Sequence, residues 1–178
     1  VLQGEDVTVF WATGSGKSLC YQIPALYSKK TAIVISPLIS LMQDQVQRLN
    51  GLSNETLATY LGSAQTDRME ETRALRGDYR LVYITPEKLM TSGFLDRLAS
   101  LEICCIAVDE AHCVSQWGHD FRKDYLFAGE ALRKHQQLRT VPIIALTATA
   151  VPRIQEDITQ NLRLRSPLPP LLCFLGSS

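Results

Sequence analysis

Ala12-Thr13-Gly14-Ser15-Gly16-Lys17-Ser18, read together with Asp109-Glu110-Ala111-His112 far downstream, decides the fold of this chain. The first string follows Thr8-Val9-Phe10-Trp11, a β-branched and aromatic run that reads as a strand. Gly14 and Gly16 allow the chain to double back with its N–H groups facing inward, where a Cβ would obstruct. Lys17 is expected to open a helix, whose free amides and partial positive charge favour phosphate oxygens. In such a loop Thr13, Gly14, Ser15, Gly16, Lys17 and Ser18 cradle phosphates, Lys17 reaches the β- and γ-phosphates, and Ser18 ligates Mg²⁺. One position departs from the full pattern, since Trp11 stands where a glycine is usual.

The second string ends Ile103-Cys104-Cys105-Ile106-Ala107-Val108, an unbroken apolar run of the kind that fills a central parallel strand. Asp109 then emerges at the carboxyl edge, where open α/β sheets bind ligands, and is placed to hold Mg²⁺ through a water. Glu110 is the candidate to orient or deprotonate an attacking water. The two motifs together call for Mg-ATP as ligand. A small-molecule kinase with a phosphate loop would explain the first motif, but neither the second nor the Gln116–Arg122 segment.

Between these landmarks apolar runs alternate with helical patterns. Strands are expected at 7–11, 31–36, 59–61, 80–85, 104–109 and 143–147, and helices at 17–27, 40–49, 67–76, 94–101 and 128–135. A last helix begins near Pro152, with Ile154, Ile158 and Leu162 on one face. The alternation implies an α/β fold, a mostly parallel sheet with helices on both faces. The chain of 178 residues is of single-domain size, with residues 1–165 as the domain and 166–178 as a truncated linker or tail, of which 168–175 is expected to be disordered or loosely docked. Lys and Arg total 18 and Asp and Glu total 18, so bulk charge gives no sign of nucleic-acid binding. Five cysteines without metal-like spacing suggest reduced thiols inside a cell. No signal peptide and no membrane span are expected.

Joined to Cys113-Val114-Ser115-Gln116-Trp117-Gly118-His119-Asp120-Phe121-Arg122, the acidic motif resembles that of the RecQ family of superfamily 2 DNA helicases. Residues 34–46, the Thr85-Pro86-Glu87 string and residues 145–150 are similar to further motifs of that family. Leu61-Gly62-Ser63-Ala64-Gln65 is closest to its Werner-type branch. The resemblance implies a RecA-like ATPase domain, ATP and Mg²⁺ as cofactors, and 3′→5′ unwinding of DNA in repair or recombination. Its partners would be single-stranded or duplex-junction DNA, and its location intracellular, nuclear if the source is eukaryotic. It also implies an upstream adenine-gripping motif and a second RecA-like domain, neither of which falls within these residues. The alternative is a truncated, non-catalytic form that binds nucleotide or a partner without unwinding.

His112, which closes the acidic motif, either links the γ-phosphate site to Gln116 and to residues 145–150 or makes a simple structural hydrogen bond. Ser40 and Thr85, each at a strand-to-helix edge, are candidates to hold strand phosphates. Trp117 and Phe121 either stack bases or pack as core aromatics. Arg122 pairs with a phosphate or with the acidic site. Thr147 and Thr149 either relay the nucleotide state to DNA or satisfy a buried strand end.

Overall fold

The computed structural model describes residues 1–148, 151–165 and 168–172. Within them a seven-stranded sheet runs in the order β3-β4-β2-β5-β6-β1-β7, every pairing parallel. The strands are β1 (Val7–Phe10), β2 (Thr31–Ile35), β3 (Ala58–Leu61), β4 (Leu81–Ile84), β5 (Ile103–Val108), β6 (Ile143–Thr147) and β7 (Leu168–Leu172). Parallel strands need crossovers, and helices supply them: α1 (Leu19–Ser28), α2 (Ile39–Gly51), α3 (Glu70–Arg76), α4 (Pro86–Leu89), α5 (Phe94–Leu98), α6 (Lys123–Lys134) and α7 (Pro152–Asn161).

The pleat sends alternate residues of each strand into two separate cores. Ala32 and Val34 join Val9, Tyr83 and Leu146 beneath Tyr21 and Ala25 of α1 and Met42 and Leu49 of α2. Ile33 and Ile35 join Ile84, Ile106 and Val108 beneath Phe94, Leu98, Tyr125, Ile154 and Ile158. The central strands are therefore apolar on both faces, which is why β5 reads as a continuous apolar run. The expected α7 face is borne out, with Ile154, Ile158 and Leu162 all buried.

Several boundaries differ from the sequence reading. Lys17 does not open α1; turn hydrogen bonds from Leu19 N–H to Gly16 O and Cys20 N–H to Lys17 O precede a helix that starts at Leu19. α6 begins at Lys123, not at 128, because Tyr125 is anchored in the core and its hydroxyl donates to Asp109 O at 3.1 Å. Gly129 interrupts the apolar pattern of that helix for a packing reason: a Cβ there would lie 3.0 Å from Leu162 Cδ2 and 3.2 Å from Asn161 O. The sequence pattern does not show the four-residue α4; Thr85 caps it by accepting the Lys88 N–H at 3.3 Å, and Pro86 opens it. Leu168–Leu172, expected to be disordered or loosely docked, instead pairs with β1 at the sheet edge, where prolines are tolerated in a strand. The rest of the expected tail lies outside the described residues.

At the amino edge of the sheet one buried carboxylate gathers four segments. Asp6, fully buried, receives the N–H of Ile143 at 2.8 Å, the N–H of Arg165 at 2.5 Å, and the guanidinium groups of Arg133 and Arg165. Burial opposes its ionisation, but Arg165, the Ile143 N–H and Arg133 together hold the carboxyl below its ordinary range. The stabilisation is thus complete near neutrality and falls away only in acid, as pH drops through that lowered value. Asp6→Ala strands the buried Arg133 charge and should lower unfolding free energy by about 3–5 kcal/mol in a urea titration; an unchanged midpoint would show that the clasp contributes nothing.

Candidate active site

The loop between β1 and α1 closes on itself. Gly14 and Gly16 take left-handed φ values of 82° and 80°, and the Ser15 N–H donates to Ala12 O at 3.2 Å. Lys17 folds back, its Nζ donating to Trp11 O at 3.0 Å and to Ala12 O at 3.2 Å. Trp11 packs partly buried against the core under α1, so the tryptophan in place of glycine leaves the turn intact. The Ser15 hydroxyl is buried without a hydrogen-bond partner among the described residues, a donor left waiting inside the loop.

Asp109 and Glu110 face this loop across a cleft of about 400 Å³, lined on the loop side by Thr13, Gly14, Gly16, Lys17 and Ser18. The parallel register brings them together although they are distant in sequence. β6 lies between β1 and β5, with Phe10 opposite Thr147 and Val108 opposite Ala145. Tyr21 of α1 and Leu41, Gln45 and Arg48 of α2 complete the wall. The sequence reading missed these last three, although their spacing on one helix face was a signal.

Electrostatics separate the two carboxyls. Burial, with the neighbouring Glu110 charge, pushes Asp109 up to about 6, against the pull of the Glu110 N–H and Lys17. Glu110 moves the other way: its hydrogen bond to His112 outweighs burial and lowers it. His112 Nδ1 lies 3.2 Å from Glu110 Oε2 and 3.0 Å from Thr147 Oγ1, so one buried imidazole joins the acidic motif to the end of β6. Glu110 itself is left-handed at φ 49° and ψ 43°, a backbone state that costs a non-glycine residue energy. The Glu110 N–H donates to Asp109 Oδ1 at 3.0 Å, and Glu110 O accepts from the Cys113 N–H at 2.9 Å, starting a single 3₁₀ turn over Ala111–Val114.

Beyond that turn the expected links change partners. Gln116 is exposed, and it is His119 that stacks on His112, with centroids 4.4 Å apart. Gly118 makes the turn that permits this, since a Cβ there would sit 2.6 Å from His112 O. Arg122 pairs with Asp120 Oδ2 at 3.0 Å and not with the acidic motif. Trp117 is 63% exposed, which removes the core-packing alternative for it, while Phe121 is half-buried.

Thr85 and Ser40 lie further along the same carboxyl edge. Thr85 lines a second cavity of about 490 Å³ with Pro37, Ile39, Gly62, Ser63, Glu87, Lys88 and Thr91, and Ser40 is exposed in the first turn of α2 beside it. Thr147 is fully buried. Thr149 lies outside the described residues.

Comparison with known proteins agrees with this arrangement. The DEAD/DEAH box helicase family matches residues 1–158. The chain belongs to that family. As a DEAD/DEAH box helicase it is 46% identical over 168 residues to the ATP-dependent DNA helicase RecQ of Haemophilus influenzae, covering 93% of this chain and 26% of the relative. It is 51% identical over 166 residues to the mouse bifunctional 3′-5′ exonuclease/ATP-dependent helicase WRN, covering 91% of this chain and 11% of the relative. The chain thus spans about a quarter or less of these relatives, and the two identities are too close to single out the Werner-type branch. Among solved structures, the helicase MrfA bound to DNA superposes with a TM-score of 0.74 at 20% identity, over 95% of this chain and 25% of that one, which supports the fold alone.

No helix among the described residues is long and apolar enough to cross a membrane, and their four cysteines are free thiols.

Because Asp109 is pushed up, the folded state without a cation loses stability as pH rises through about 6. Asp109→Asn should therefore come closest to the parent's melting temperature near pH 4, draw ahead of it as pH rises to about 6, and exceed it by ~2–4 °C per kcal/mol recovered at pH 8. A parent that melts higher than the variant at pH 8 without metal would contradict this electrostatic reading.

Proposed function

We propose that this chain is the ATP-binding motor domain of a RecQ-type 3′→5′ DNA helicase, acting on single-stranded or duplex-junction DNA in repair or recombination. Its location would be intracellular, nuclear if the source is eukaryotic. The observation that carries the reading is the shared cleft: the Lys17 loop and the Asp109–Glu110 pair face each other at the carboxyl edge, and His112 runs from Glu110 to Thr147.

The residues present fit a magnesium–triphosphate ligand. Space is open where a Gly14 Cβ would stand, the Ser15 hydroxyl lacks a partner, and the raised Asp109 carboxyl would be drawn back to its ionised form by a cation. Ser18 and Asp109 would hold Mg²⁺, which supplies neutralising charge to the β- and γ-phosphate oxygens. Thr13 to Ser18 would cradle the phosphates with backbone N–H groups. Lys17 would exchange the carbonyls of Trp11 and Ala12 for phosphate oxygens, so the loop gains a ligand without stranding a charge. Glu110, held ionised by His112, would orient the attacking water and take its proton.

On the DNA side, the exposed Trp117 ring suits base stacking, with Phe121 beside it in the same loop. Ser40 and Thr85 would meet strand phosphates along the edge. His112 and Thr147 would carry the nucleotide state toward that loop, with His119 in place of Gln116 as the stacked neighbour. With no net charge, the grip would come from these local contacts and not from a basic surface.

Calorimetric titration with Mg-ATP tests the assignment on the isolated 178 residues. Lys17→Ala should weaken binding by about tenfold to a hundredfold, the loss of one charged hydrogen-bonding partner. Glu110→Gln should bind as the parent does, because Glu110 acts on water. Equal affinity of the parent and Lys17→Ala would remove the phosphate-loop assignment.

A further inference from the structure

α7 carries three polar side chains one helical turn apart, at positions 153, 157 and 161, on a stripe beside its buried Ile154 and Ile158. Each one meets a different part of the segment that leads out of the acidic motif. Asn161 Nδ2 donates to Val114 O at 2.9 Å. Ser115 Oγ donates to Asp157 Oδ2 at 2.6 Å, and the same hydroxyl accepts the Trp117 N–H at 3.1 Å. Arg153 completes the row, its guanidinium carbon 3.7 Å from the centroid of the Trp117 ring. The anchored end of this ladder is buried, with Ser115 and Val114 fully inaccessible. Its far end is exposed, with Arg153 on the surface and Trp117 63% accessible.

Such a ladder holds the backbone of the loop firmly and the tryptophan loosely. The Ser115–Asp157 bond is charge-assisted and shielded, whereas an exposed cation–π contact is worth little. Yet the guanidinium lies at stacking distance over the indole, and one ring face admits one planar partner. We infer that Arg153 of α7 is a positioning residue that covers the Trp117 face a nucleobase would take, so that an entering single strand must displace Arg153. The inference rests on the proposed stacking role of Trp117 and adds its competitor. Displacement would be felt by α7, which begins five residues beyond Thr147 at the end of β6, and Thr147 is hydrogen-bonded to His112. The DNA face and the acidic motif are thereby joined by a second route besides the loop itself.

The chain has two tryptophans, so Trp11→Phe leaves Trp117 as the only indole reporter. In that background, acrylamide quenching without DNA should be stronger in Arg153→Ala than with Arg153 in place, because the ring face is uncovered. Titration with an oligothymidylate, followed by Trp117 fluorescence, should show binding tightened by about two- to fivefold in Arg153→Ala, with Arg153→Lys between the two. Tightening on removal of a positive charge runs against simple phosphate attraction and is therefore diagnostic. Weaker oligothymidylate binding by Arg153→Ala would make Arg153 a phosphate contact and overturn the inference. Unchanged quenching together with unchanged affinity would overturn it too. Undiminished binding of a labelled oligothymidylate by Trp117→Ala would instead overturn the stacking role of Trp117, and this inference with it.

Discussion

Parallel register is the constraint on which everything else in this chain depends. Because every described strand runs the same way, every segment that follows a strand emerges on one edge of the sheet. The glycine loop follows β1, Ser40 follows β2, Thr85 follows β4, Asp109 and Glu110 follow β5, and Thr147 closes β6. The registers set Phe10 beside Thr147, Ala145 beside Val108, Val108 beside Ile35 and Ile35 beside Ile84, so these ends form a line. A slip by one residue in β5 would send its buried set to the opposite face and turn Asp109 out of the cleft. The two apolar cores hold the register and so hold the site.

The two edges of the sheet are built on opposite principles. At the amino edge Asp6 is buried and amply paired, its carboxyl lowered by the arginines and N–H groups it gathers. At the carboxyl edge the chain leaves demands unmet. Asp109 is pushed up to about 6, Glu110 sits in a left-handed backbone state, and the Ser15 hydroxyl has no partner. Among the described residues, Lys17 Nζ donates to carbonyls of its own loop. Lys17, Asp109 and Glu110 share one cleft, and a phosphate-bound cation would answer their demands together. Stability stored at one edge tolerates the strain kept at the other.

Much of this was legible in the sequence, and the remainder was hidden for identifiable reasons. Glycines at fixed spacing and a strand ending in two acids specify local geometry, so the loop and the acidic pair could be read directly. Period and apolar content gave the first six strands and the buried face of α7. What escaped depends on contacts between distant residues. Tyr125 packing under β5 extends α6 toward its N-terminus, and Leu162 explains Gly129. Arg122 found Asp120 close by, while His119, not Gln116, lies on His112; only the turn at Gly118 decides that. The meeting of Arg153 with Trp117 crosses between two elements and leaves no periodic trace.

Hydrogen exchange with and without a Mg-nucleotide tests most directly whether the carboxyl edge is one site. Nucleotide should slow exchange at residues 13–19 and 109–119 together, while residues 76–80 and 101–102 at the amino edge stay unchanged. Protection confined to the amino edge, or reaching the glycine loop without the acidic motif, would contradict a single site assembled by parallel register.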